Sequence, residues 1–253
     1  MTPDSFYDGG CLDTAEVAIE KGLSMIEDGA DILDIGGESS RPGSESTSLQ
    51  QELDRVLPVI EGLRVRTTIP ISVDTTKASV AKAALQAGAN IINDITALRS
   101  DPGMAETISE SGAKVVLMHM QGKPKTMQQE PIYADVVKEV RDFLTERAEY
   151  AQANGISPDH IILDPGIGFG KTLEHNLTLL RQLPKLASCG YPILVGLSRK
   201  SFLGQLLDLP VTERLEGTIA VNTAAILGGA GIIRVHDVKE GRRTADVAVR
   251  LII

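Results

Sequence analysis

A single unit recurs along this chain and constrains it more than any other feature: a short apolar, β-rich run, a polar or glycine-rich loop, then a longer amphipathic stretch. The runs fall at 31–35, 69–74, 90–94, 113–119, 160–164, 192–196 and 232–236. Most are Val/Ile/Leu segments without alternation, the pattern of parallel strands covered on both faces. Helices are expected at about 12–28, 48–64, 77–87, 102–111, 134–154, 173–188, 212–228 and 238–252. Asp13 or Thr14 could cap the first, and Gly88, Gly112, Gly155 and Gly190 stand just past C-termini. Strands that alternate with helices imply crossover connections and a parallel sheet. Seven strand–helix units behind one leading helix suggest an α/β fold, a TIM (β/α)8 barrel lacking its N-terminal strand. An open, doubly wound sheet is the alternative. No linker or change of composition divides the 253 residues, so one domain spanning 1–253 is expected.

Polar residues follow every run. The ends read Gly36-Gly37-Glu38, Asp74-Thr75, Asn93-Asp94, His119, Asp164-Pro165, Ser198-Arg199-Lys200 and Arg234-Val235-His236-Asp237. A single Asp after a strand is an ordinary turn residue. The same feature at all seven ends defines a cleft, because both candidate folds gather ligand groups at the carboxyl ends of parallel strands. Asp74, Asn93 and Asp164 offer acceptors suited to a heterocycle that displays ring N–H and amino donors. Lys200, Arg234 and His236 offer cations and donors suited to phosphate. If the last strand runs through 236, Arg234 and His236 leave the same face of it.

Other chemistries fit poorly. A net charge of −9 disfavours nucleic acid and anionic membranes as partners. Two distant thiols, Cys11 and Cys189, suit a reducing cytoplasm. The most apolar window, 219–233, is too short to cross a bilayer, and the first residues lack signal-peptide character. PGIGFGKT at 165–172 imitates a P-loop but has Pro165 where the first glycine belongs. Gly166, Gly168 and Gly170 are better explained by a tight loop that passes close to a ligand. No metal-ligand spacing and no nucleophile elbow occur, so no metal-ligating residue is assigned. The Gly/Ser/Pro-rich segments 2–10 and 36–48 are expected to act as lids.

TPDSFYDGG, DIGGESSRPG, ISVDT, INDI, MHMQGKPKTMQ, ILDPGIGFGK, LSRKSFLG and RVHDV, in that order, resemble the dihydropteroate synthase family of pterin-binding enzymes. The resemblance covers essentially the whole chain. It implies a TIM barrel that joins 6-hydroxymethyl-7,8-dihydropterin pyrophosphate to 4-aminobenzoate and releases pyrophosphate, as a cytoplasmic homodimer with Mg²⁺. By the resemblance, Asp74, Asn93, Asp164 and Lys200 belong to the pterin pocket, with Met118 and Phe169 in its walls. Arg234 and His236 belong to the pyrophosphate site. Ser39, Ser40, Arg41 and Pro42, with Lys200, belong to the aminobenzoate pocket, where sulfonamides are expected to bind. Asp74, Lys200, Arg234 and His236 are the expected catalytic set.

Two features depart from the family pattern. A strand ending in a Mg²⁺-ligating Asn precedes Thr2 in the family; here that position lies upstream of Met1, so a shortened start without the first strand is expected. Ser40 stands where the family usually has Thr. Two other readings stay open: an inactive pterin-binding homologue, and a methyltetrahydrofolate–corrinoid methyltransferase.

Overall fold

The computed structural model describes residues 11–39, 47–122 and 125–252. The seven expected runs form seven strands: β1 (Leu33–Gly36), β2 (Ile71–Asp74), β3 (Ile91–Asp94), β4 (Lys114–Met118), β5 (Ile161–Asp164), β6 (Leu194–Gly196) and β7 (Ile232–Arg234). β1 to β5 pair in sequence order, all parallel. A single parallel bridge, Leu163 to Ile193, joins this sheet to the β6–β7 pair. No ladder joins β7 to β1 among the described residues. No helix among them is long and apolar enough to cross a membrane.

Both faces of the strands are covered, and successive residues join two different clusters. Leu33, Ile35, Ile71, Val73, Ile92, Val115, Leu117, Ile161, Leu163, Ile193 and Val195 pack outward under the helices in the main core. The opposite face supplies a separate cluster: Ile91, Val116 and Ile162, with Ile32, Leu194 and Ile232 against them. Side chains beside β1 and on β7 thus meet those of β3 to β6. In a flat sheet the outer two of seven strands would stand about 29 Å apart. The sheet therefore curls around an apolar layer. Two residues further along the strands, at the pleat repeat, the same inner face carries Asp34, Asp74, Asn93, Met118, Asp164, Gly196 and Arg234. The fold builds a greasy floor and sets polar groups on it at the carboxyl ends.

The helices are α1 (Cys11–Glu27), α2 (Leu49–Arg64), α3 (Ala78–Gln86), α4 (Met104–Ser111), α5 (Val136–Ala153), α6 (Leu173–Arg181), α7 (Leu183–Ala187), α8 (Ser201–Leu207), α9 (Leu215–Leu227) and α10 (Val238–Val249). Ser48 opens α2 with a capping box shared with Gln51, and Asp135 caps α5. Gly88, Gly112, Gly155 and Gly190 all have the left-handed backbone expected past a C-terminus. Three expectations need correction. The first helix already includes Cys11, so Asp13 and Thr14 lie inside it and do not cap it. The helix expected over 173–188 breaks at Gln182, because Pro184 lacks an N–H and crowds the preceding turn. The one expected over 212–228 opens with a separate 3₁₀ turn, Val211–Glu213. α8 was not expected at all: it is short, and Arg214 packs over its Gly204 while donating to the Arg199 and Lys200 carbonyls.

Candidate active site

Arg234 is the hub of the polar layer. Its guanidinium lies 2.7 Å from the Asp34 carboxylate and donates to Asp74 Oδ2 at 3.2 Å. The Asp34 carboxylate in particular raises the Arg234 pKa above its ordinary value, so the cation is permanent. Burial pushes the Asp74 carboxyl up to about 7 against the pull of Arg234. Asn93 is the register partner of Asp74 on β3, and its Oδ1 is buried with no hydrogen-bond donor among the described residues. Asp164 accepts from the Gly166 amide at 2.7 Å; burial raises its pKa, opposed by Lys200. Three buried acceptors thus line one floor, and one of them awaits a donor.

Lys200 faces this floor from the loop after β6. Its ammonium donates to the Ile167 carbonyl and stands 4.6 Å from the centre of the Phe169 ring. Burial lowers its pKa to about 8, against the effect of Asp164. Phe169 and Met118 pack in one apolar cluster with Ile95, Met120 and Met127, which walls the floor on the side of β3 and β4.

His236 lies outside β7, which ends at Arg234, so the shared-strand-face argument does not place it. Ser198 does. The Ser198 hydroxyl accepts from the His236 backbone N–H at 3.2 Å and lies 2.9 Å from Nδ1. Its own proton is then free for Nδ1, which leaves the imidazole proton on Nε2 as a donor. Burial lowers the His236 pKa, so this neutral donor is the form present at pH 7.

The structure brings together Asp74, Asn93, Met118, Asp164, Phe169, Lys200 and Arg234, with His236 anchored beside them. Ser39 is half-buried in the loop after β1. Ser40, Arg41 and Pro42, most of the expected lid at 36–48, and the whole expected lid at 2–10 lie outside the described residues. Asp34 was not picked out from sequence, and Ser198 was read only as part of its strand end, with no role assigned. An Asp inside an otherwise apolar strand, DILDIGG, was the available signal for the first. The glycines at 166 and 170 also serve a close approach that the sequence did not show: a Cβ on either would overlap a backbone carbonyl, that of His119 or Gln121, in the loop after β4. Among the described residues no three His, Cys, Asp or Glu groups converge on a metal position. With Asp34 and Asp74 both engaged by Arg234, this set does not by itself fit a resident magnesium ion.

A curled parallel sheet carrying buried acceptors, a fixed cation and an apolar wall at its carboxyl ends defines a small-molecule enzyme of the α/β class. Residues 1–236 match the family described as pterin binding enzyme, and the chain belongs to that family. It is 49% identical over 248 residues to the dihydropteroate synthase of Synechocystis sp., an alignment covering 98% of this chain and 86% of the relative. The Yersinia pestis dihydropteroate synthase, solved with a sulfonamide drug, superposes with a TM-score of 0.93 at 46% identity, covering 99% of this chain and 90% of that one. The Xanthomonas albilineans enzyme, solved with 4-aminobenzoic acid, gives 0.92 at 45%, covering 99% and 89%.

Proposed function

We propose that this chain condenses 6-hydroxymethyl-7,8-dihydropterin pyrophosphate with 4-aminobenzoate, giving 7,8-dihydropteroate and pyrophosphate for folate synthesis. The observation that carries the reading is the row of buried acceptors at Asp74, Asn93 and Asp164, with Asn93 Oδ1 lacking a donor. A reduced pterin supplies ring N–H and amino donors to such a row, and Met118 and Phe169 fit its faces. Arg234 and the Nε2 proton of His236 take the diphosphate oxygens. As the methylene carbon–oxygen bond breaks, its electron pair leaves with the diphosphate. The Asp74 carboxylate, in its ionised form paired with Arg234, stabilises the cationic methylene. The arylamine then attacks that carbon and releases a proton. No covalent intermediate with the protein is required. By resemblance, Ser39 to Pro42 and Lys200 form the aminobenzoate side.

Further parts of the reading go with this. The curled sheet is a (β/α)8 barrel with one strand position between β7 and β1, supported by the shared inner cluster. The site of action is the cytoplasm. Exposed Leu227 on α9, Val247 and Val249 on α10, and Leu251 and Ile252 beyond it provide an apolar surface for a homodimer. The deciding experiment is incorporation of labelled 4-aminobenzoate into dihydropteroate, with pyrophosphate released in equal amount. Pterin binding without condensation would instead identify an inactive homologue. Methyl transfer to a corrinoid would identify the methyltransferase.

A further inference from the structure

Lys171 closes the PGIGFGKT run, and no part of the chemistry above uses it. Its side chain is buried, 3% exposed, and among the described residues it forms no ion pair with a carboxylate. Instead its ammonium meets His119 Nδ1 at 2.9 Å, the Gly166 carbonyl at 3.0 Å and the Phe169 carbonyl at 3.0 Å, with the His119 carbonyl at 3.4 Å. Three N–H bonds thus find three near acceptors drawn from two loops, the one after β4 and the one after β5. His119 must present Nδ1 as the acceptor, and burial together with the Lys171 charge pushes its pKa down to about 3, so it stays neutral.

The same short loop is held from its other side by Lys200, which donates to the Ile167 carbonyl and covers the Phe169 ring. The two ammonium groups therefore grip alternate carbonyls of one segment: 166 and 169 by Lys171, 167 by Lys200. Left-handed backbone at Gly166, Gly168 and Gly170 turns those carbonyls to opposite sides. Further ties run the same way. Tyr133 donates to the Gly170 carbonyl at 2.8 Å and Gln128 to the Gly168 carbonyl at 2.5 Å.

We propose that Lys171 is a positioning residue: it clamps the loop after β5 to the loop after β4, and so fixes Phe169 and the Ile167 carbonyl that hold Lys200 over the pterin pocket. The proposal rests on that pocket binding a pterin. Lys171→Met keeps the volume but leaves His119 Nδ1 and the Phe169 carbonyl without their donor, while the Gly166 carbonyl keeps only the Phe169 amide, so the loop must move. With 6-hydroxymethylpterin as the probe, its dissociation constant should rise about tenfold or more, the worth of one charge-assisted hydrogen bond. Lys171→Gln, which restores two of the three N–H donors, should recover most of that loss. A merely structural lysine would lower the melting temperature and leave pterin affinity alone. Folded Lys171→Met protein binding the pterin within about twofold of the unaltered protein overturns the proposal. Should neither variant fold, a crystal structure of the unaltered protein with the pterin decides. The Lys171 ammonium must stay within about 3.2 Å of the 166 and 169 carbonyls, and its release from them or direct contact with the pterin overturns the proposal. No pterin binding by the unaltered protein overturns the pocket reading and takes this one with it.

Discussion

Asp74 and Arg234 are assigned opposite work in one reaction, and each can be removed alone. Asp74→Asn deletes the charge facing the methylene, and Arg234→Ala deletes the fixed cation that receives diphosphate. Each should lower turnover by about a hundredfold or more, the scale of one preorganised electrostatic contact, with the circular dichroism spectrum unchanged. Turnover within about threefold of normal in either folded variant removes that residue from the mechanism. The pH dependence follows from the shifted groups. Asp74, pushed up to about 7, acts as the anion, so kcat/KM should fall as pH drops below that value. Lys200, lowered to about 8, acts as the cation, so kcat/KM should fall as pH rises past it. Lys200→Arg cannot lose its proton in this range and should remove the part of the alkaline limb set near 8, leaving any loss that comes from Lys171, which burial lowers to about 7. Most of these side chains were legible because they follow strands. Asp34 was not, since its partner Arg234 lies at the far end of the chain. Ser198 was read in its strand end but without a role, because a hydroxyl acquires one only when His236 arrives beside it.

At the scale of elements, the strands could be read because two-sided burial leaves uninterrupted apolar runs. The helix breaks were less visible, since Pro184 sits within an amphipathic stretch and α8 depends on Arg214 from outside itself. The loop after β5 is where local sequence showed least of the packing. Its glycines and Lys171 imitate a nucleotide loop, while their partners are backbone and His119 of the loop after β4 and, for Lys171, carbonyls of its own loop. Gly166→Ala and Gly170→Ala each add a Cβ against backbone in a left-handed conformation, and should destabilise the protein by about 2–4 kcal/mol in urea unfolding. Pterin affinity should fall with it. Gly112 is also left-handed, but nothing lies within 4 Å of its added Cβ. Gly112→Ala should therefore cost only about 1–2 kcal/mol and leave pterin affinity unchanged.

For the whole molecule, parallel order and helix cover were legible from the repeat, and curling was not. Whether such a sheet stays open depends on which inner side chains meet, and Ile32 and Ile232 come to share one inner cluster only in the folded chain. The exposed apolar residues at the end of α10 provide the test of assembly. Light scattering should give twice the chain mass of 27.0 kDa, and Val247→Glu combined with Leu251→Glu should return the monomer. A monomeric parent protein removes the dimer from the reading.

Arg234, clasped by Asp34 and Asp74, also decides what the pocket ignores. A bare anion such as inorganic phosphate on the guanidinium draws its charge away from Asp74, which lies buried beside it and is left short of its counter-charge. A ligand that brings an anion for Arg234 and, on the same molecule, donors for the carboxylate floor restores both balances at once. The pocket behaves as a two-key lock, and the abundant phosphates around it carry only one key.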